Sequence, residues 1–135
     1  MTYPTQKTDD QWRALLAAKG AEPHAFEITR QAATERAYSG KFEGHHDAGV
    51  YRCICCEQPL FESGAKFESH CGWPSYSAPL PAGVGTQVDT THGMHRTEVH
   101  CNGCGAHLGH VFEDGPAPTG LRYCINSASL SFGPT

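Results

Sequence analysis

The amino-acid sequence predicts a mainly β fold of antiparallel strands, with short helices from the N-terminal end packed alongside. Three observations carry that expectation. Apolar residues at helical spacing occur only in the first third of the chain, short apolar runs broken by Gly and Pro fill it from Gly49 onward, and two closely spaced cysteine pairs close two of those runs.

The elements follow in order. Asp9 or Asp10 can cap a first helix, whose Trp12, Leu15 and Leu16 form an i, i+3, i+4 stripe expected to dock on the sheet; Gly20 suits its end. Pro23 fits the first turn of a second helical piece running through part of 25–34. Ser39-Gly40 closes this segment, and the polar loop from Gly44 to Gly49 holds His45, His46 and Asp47, with its histidines expected in solvent. Candidate strands are 50–53, 59–61, a piece near 66–68, 87–89, 94–100, 107–112 and 122–132, while the Pro-rich stretch 74–85 reads as largely irregular.

A formal net charge of −4, with the nine histidines counted as neutral, leaves no basic footprint for nucleic acid or an anionic membrane. No apolar run approaches the roughly 20 residues that cross a bilayer. The leading Met1-Thr2-Tyr3-Pro4-Thr5-Gln6 lacks the apolar stretch that directs secretion, so the expected location is the cytoplasm. In that reducing compartment seven cysteines, an odd number, point to metal binding or catalysis rather than a disulfide framework.

Cys53-x-x-Cys56 and Cys101-x-x-Cys104 each form a tight turn that aims two sulfurs at one point, and together they supply a tetrahedral thiolate set for one structural Zn2+. A redox Cys-x-x-Cys is the alternative for either pair alone; the presence of two argues against it. With 44 residues between the pairs, the metal clamps distant parts of the sheet. We therefore expect a single domain over 1–135, with a helical segment at 1–40 and a zinc-clamped β core at 50–132. Four protein ligands leave no open coordination position, which sends any chemistry elsewhere. Cys55 reads as a spare thiol, although it could replace a neighbouring ligand.

Cys71 and Cys124 remain. If 122–132 is one strand, a period of two puts Arg122, Cys124, Asn126, Ala128, Leu130 and Phe132 on one face, with a thiol at the mouth of a core. Arg122 and Asn126 would then favour a thiolate and orient its target, and the other reading is an inert buried cysteine. Trp73, between Gly72 and Pro74, is either a core plug, which composition favours, or one wall of a pocket. His107 and His110 are converging donors, extra ligands or surface residues; no third ligand stands at a spacing that would make a second metal site.

Taken in order, Thr34-Glu35-Arg36, both cysteine pairs, Gly72-Trp73-Pro74-Ser75, Met94-His95-Arg96, His107-Leu108-Gly109-His110-Val111-Phe112, Asp114-Gly115-Pro116 and Arg122-Tyr123-Cys124-Ile125-Asn126-Ser127-Ala128-Ser129-Leu130 resemble the B-type methionine sulfoxide reductases, the family acting on the R epimer of methionine sulfoxide. The resemblance implies two antiparallel sheets of the Mss4-like zinc-containing fold with the N-terminal helices alongside. It implies a peptide-methionine (R)-S-oxide reductase, with Cys124 as nucleophile, Cys71 as resolving thiol, and Trp73, His107, His110 and Asn126 lining the site. Arg122 and Phe112 would be further substrate contacts, His110 ranks above His107 for direct contact, and thioredoxin is the expected reductant. Two departures stand out: Cys55 has no place in the metal pattern, and Glu57 occupies a position where a knuckle glycine is frequent.

The chemistry sets its own requirements. A thiolate displaces a sulfoxide oxygen only if that oxygen receives a hydrogen bond or proton, and the resulting sulfenic acid condenses with a nearby thiol. A non-catalytic Mss4-like zinc module that binds a protein partner is the alternative from another class. It leaves Cys71, Cys124 and the paired histidines without roles. A cysteine hydrolase is weaker, because it leaves Cys71 unused and lacks an oxyanion arrangement.

Overall fold

The computed structural model describes residues 3–90 and 93–134, so Met1 and Thr2 of the leading stretch lie outside it. Helix α1 (Asp9–Ala18) starts from Thr8 rather than from either aspartate. Thr8 Oγ1 accepts from the Gln11 N–H at 3.2 Å while Gln11 Oε1 accepts from the Thr8 N–H at 2.9 Å, a reciprocal cap that leaves Asp9 and Asp10 in the first turn, where the helix dipole favours them. Trp12 and Leu16 are buried, but the main partner of this helix is α2 (Ala25–Gln31) and not the sheet. The reason lies in α2 itself, which buries Ala25, Phe26, Ile28 and Thr29 and so occupies the layer between α1 and the strand 107–112.

Among the described residues nine strands form two antiparallel sheets. One has the order β2-β1-β9, from β1 (Gly49–Cys53), β2 (Pro59–Glu62) and β9 (Leu130–Pro134). The other has the order β3-β4-β8-β7-β6-β5, from β3 (Lys66–Phe67), β4 (Ser75–Tyr76), β5 (Val84–Asp89), β6 (Arg96–Cys101), β7 (His107–Phe112) and β8 (Arg122–Ile125). The β4 strand falls inside the stretch expected to be irregular; two residues are too few to display a period of two. The sheets share a core in which Phe61 stacks on Tyr76 at 4.3 Å and Tyr51 meets the same ring at 5.3 Å. His45 joins Phe42, Tyr51 and Phe132 and lies 2.7 Å from the Tyr51 hydroxyl, so of the two loop histidines only His46 is in solvent, as expected.

The long final strand is not one strand. It breaks after Ile125 into a short 3-10 turn at Ser127–Ser129, and Leu130 onward belongs to the other sheet. Short polar side chains cause the break by bonding backbone in place of a ladder. Asn126 Nδ2 donates to Leu108 O at 3.0 Å, Ser127 Oγ accepts from the Phe42 N–H at 3.2 Å, and Ser129 Oγ donates to His107 O at 3.0 Å. The chain thus passes from the six-stranded sheet to the three-stranded one, and the face shared by Arg122 and Cys124 ends there. Among the described residues no helix is long and apolar enough to cross a membrane.

Candidate active site

Strand register builds the site. Antiparallel pairing sets Glu98 opposite His110, His110 opposite Cys124, and Cys124 opposite Ser75. Directly opposed residues share a face of the sheet, so the four side chains form one row, with Phe112 and Arg122 paired two positions along. His107 and His110 would point to opposite faces of a regular strand. A register shift prevents this: Val99 pairs with Gly109 but His100 pairs with His107, which puts one extra residue into β7 and leaves the two imidazoles 5.6 Å apart.

Cys71 reaches the row from the loop before β4, and its Sγ lies 3.4 Å from Cys124 Sγ with both cysteines reduced. Glycine makes the loop possible, since Gly72 has φ +96 and an added Cβ would lie 2.6 Å from Ala37 Cβ. The two thiols ionise very differently. Burial pushes Cys71 up, but hydrogen bonds led by Ser69 and Ser75 outweigh it and bring the thiol down to about 7. Burial, then the charge and hydrogen bond of Cys71, push Cys124 up to about 12, against the opposing effect of Arg122. The first proton therefore leaves Cys71, whereas the sequence suggested that Arg122 would favour a thiolate at Cys124. Arg122 is divided among partners: Nε and Nη2 bond Asp114 at 2.9 and 3.2 Å, and the guanidinium stacks on Phe112 at 4.5 Å.

A cleft of ≈ 220 Å³ opens over the two sulfurs, walled by Trp73, His110, Phe112, Arg122 and Asn126. Trp73 is half-buried and forms a wall rather than a plug, its Nε1 donating to Glu35 O at 3.1 Å. Behind His110 lies a second chamber of ≈ 380 Å³ that includes Asp89, Arg96, Glu98 and His107.

At the far ends of β1 and β6 four of the other five cysteines converge. Cys53 and Cys104 sulfurs are 3.7 Å apart, those of Cys56 and Cys101 are 3.5 Å apart, and all four lie within 4.8 Å of one another, a set able to hold one metal ion. The two turns match in the bonds that close them. Glu57 N donates to Cys53 O at 2.9 Å as Gly105 N donates to Cys101 O at 2.8 Å, and both residues take positive φ, +67 and +77. Glu57 adopts the conformation a glycine would take freely, held by Lys19 and by Ser131, whose Oγ donates to Glu57 Oε1 at 3.2 Å. Cys55 is buried beside the cluster but outside it.

The family model described as the SelR domain matches residues 21–134. A peptide methionine sulfoxide reductase MsrB of Variovorax paradoxus is 62% identical over 133 residues, covering 98% of each chain. One of Herminiimonas arsenicoxydans is 56% identical, covering 100% of this chain and 96% of the relative, and one of Burkholderia ambifaria is 59% identical, covering 97% and 90%. This chain belongs to the SelR family, the B-type methionine sulfoxide reductases.

Within this SelR domain the expected residues divide by position. Cys71, Trp73, His110, Phe112, Arg122, Cys124 and Asn126 meet at one cleft, and Cys53, Cys56, Cys101 and Cys104 at the cluster. His107 does not line the cleft. It sits in the chamber behind, with both ring nitrogens buried and without hydrogen bonds and Nδ1 3.5 Å from Glu98 Oε2; burial, then the nearby His110 charge, pushes it down to about 4. Asn126 is less free than its sequence position suggested, because Oδ1 accepts from the Glu35 N–H at 2.9 Å while Nδ2 holds Leu108 O. Sequence reasoning gave no role to four residues that brace the site, although Glu35 and Ser75 stand in motifs that carried the resemblance. Asp89 Oδ2 bonds His110 Nε2 at 2.8 Å, Glu35 braces Trp73 and Asn126 from its backbone, and Ser69 and Ser75 contact the Cys71 sulfur. The alternation of β5 misleads at Asp89, since it would bury Val88, which is exposed, and leave Asp89, which is not, in solvent; a serine carries no local signal for a thiol contact.

Proposed function

We propose that this chain reduces methionine (R)-sulfoxide, free or within proteins, to methionine, using Cys124 as nucleophile and Cys71 as resolving thiol, with thioredoxin as the recycling reductant in the cytoplasm. The observation that carries this reading is the 3.4 Å approach of two half-buried thiols beneath an apolar-walled cleft, in a member of this family.

Trp73 and Phe112 present apolar surface to the substrate methyl and chain, and a cleft with distinct methyl, oxygen and chain positions selects one epimer. His110, directly across from Cys124, serves the oxygen. Asp89 fixes the ring through Nε2 and leaves Nδ1 for that contact. Cys124 sulfur takes the oxygen and its thiol proton ends on that oxygen, freeing methionine and leaving a sulfenic acid beside Cys71, the thiol of the pair that ionises more easily. Condensation with Cys71 then yields the disulfide and water. External thiol exchange returns both sulfurs to thiols.

We assign Zn2+ to Cys53, Cys56, Cys101 and Cys104. Four Zn–S bonds of about 2.3 Å at tetrahedral angles separate sulfurs by about 3.8 Å, close to the 3.5 and 3.7 Å spacings found. When bound, the ion supplies a structural cross-link and no reactive position. The single domain, 1–135, is organised around that link and the cleft.

The test is direct. Racemic methionine sulfoxide with dithiothreitol should lose its R epimer to the wild-type protein and not to Cys124→Ser; retained reduction by the mutant would remove Cys124 as nucleophile. A protein-binding zinc module has no reason to form one specific Cys71–Cys124 bridge after peroxide, which mass spectrometry reads.

A further inference from the structure

Around Cys71 two hydroxyls converge that the reductase chemistry described above does not use. Ser69 Oγ donates to Cys71 Sγ at 3.0 Å, Ser75 Oγ lies 3.4 Å from the same sulfur, and the two oxygens are 2.6 Å apart. Ser75 is 1% exposed and fixed in β4 directly opposite Cys124, so its position is set by the sheet and not by the loop. The side-chain hydrogen bonds of both serines run to Cys71, to each other and to Trp73 O; none runs to Cys124. The device is therefore aimed at one thiol of a touching pair.

We propose that Ser69 and Ser75 are positioning residues for the second chemical step, holding Cys71 as the thiolate that closes the disulfide on the oxidised Cys124. Resting on the reductase reading, the step is as follows. Cys71 thiolate attacks Cys124 Sγ of the sulfenic acid, the S–S bond forms as the S–O bond breaks, and the departing hydroxide takes one proton to leave as water. Hydroxyl donors strengthen toward a charged sulfur, so Ser69 stabilises the thiolate over the thiol directly, and Ser75, with one proton and Cys71, Ser69 and Trp73 O in reach, supports it when that proton turns to the sulfur or to Ser69 Oγ. The depressed Cys71 ionisation agrees with this. Built this way, the pair shortens the life of a sulfenic acid that further oxidation would trap.

Single-turnover kinetics separate the steps. Reduced protein is mixed with excess methionine sulfoxide and no reductant; methionine formed reports the first step, and loss of thiols to disulfide reports the second. Ser69→Ala is expected to form methionine within about twofold of wild type, to close the disulfide ~10-fold more slowly at neutral pH, and to raise the pH midpoint of closure by about one unit, the worth of one charge-assisted hydrogen bond. Ser69→Thr, which keeps a hydroxyl, should restore both rate and midpoint, and Ser75→Ala should shift closure in the same direction as Ser69→Ala. Unchanged closure in Ser69→Ala, equal slowing of both steps, or failure of the threonine to restore closure overturns the proposal. Wild-type protein that forms no methionine is a different result, because it overturns the reductase reading beneath it.

Discussion

Six of the seven cysteines meet in two places, and the two places treat sulfur in opposite ways. In the four-cysteine cluster two matching turns close around the sulfurs, with Gly103 N donating to Cys101 Sγ at 3.2 Å and Arg30 Nη1 to Cys104 Sγ at 3.4 Å. In the cleft, Cys71 and Cys124 are half-buried, are approached by hydroxyls and a guanidinium, and open onto space for a ligand. Enclosure by four ligands suppresses reactivity, whereas pairing with access and hydrogen-bond donors promotes it. Spacing within the chain is the root of the difference. Each cluster pair comes from one turn, while the cleft pair is joined only by the fold.

The sharpest way to break this contrast is to remove one sulfur from each place. Cys124→Ser should cost the R-epimer reduction at least ~10³-fold, in the range seen when a nucleophile is deleted, with the metal content and melting temperature unchanged. Cys104→Ser should do the reverse at its origin: elemental analysis should fall from one zinc per chain, and unfolding should lose several kcal/mol, on the order expected when metal binding is linked to folding. Full metal content in that mutant would dissolve the distinction between clamp and working pair. Next in size is Cys71→Ser. One methionine per chain should still form, while thioredoxin-driven cycling drops ~10-fold or more, because the sulfenic acid lacks its partner; unchanged cycling would hand the resolving role to another thiol, Cys55 first.

A smaller test concerns His107, behind the cleft. Its pKa of about 4 lies below the ordinary 6.5, so the unfolded chain takes up the proton first. Stability from this group is complete above pH 6.5 and is lost as pH falls toward 4, by at most about 3 kcal/mol at 1.36 kcal/mol per unit. His107→Gln should flatten the acid limb of a stability-against-pH curve by up to that amount, as measured by urea unfolding. The smallest effect belongs to the first knuckle. Glu57→Gly relieves a left-handed residue but gives up the Lys19 and Ser131 contacts, so a net gain of about 1 kcal/mol or less is expected in thermal unfolding, with zinc retained.

The legible part of this molecule is the part written locally. Both Cys-x-x-Cys turns, the helix that carries Trp12 and Leu16, and the strand 107–112 each depend on residues a few positions apart, and each forms where the sequence put it, although the helix docks mainly on α2 and not on the sheet. The break at Asn126 was not legible, because the alternation of 122–132 continues past it; what ended the strand was a set of bonds to Leu108, Glu35, Phe42 and His107, all remote in the chain.

Taken alone, the sequence determined the mainly β character, the four candidate ligands and the two thiols left over, since spacing and composition are properties of contiguous chain. Tertiary structure decided that those two thiols touch, that a register shift brings His107 round toward His110, and that Ser69 and Ser75 face Cys71 rather than Cys124. The physical reason is register. A one-residue slip would send a whole strand's side chains to the other face, and the packing that forbids the slip comes from segments far away along the chain.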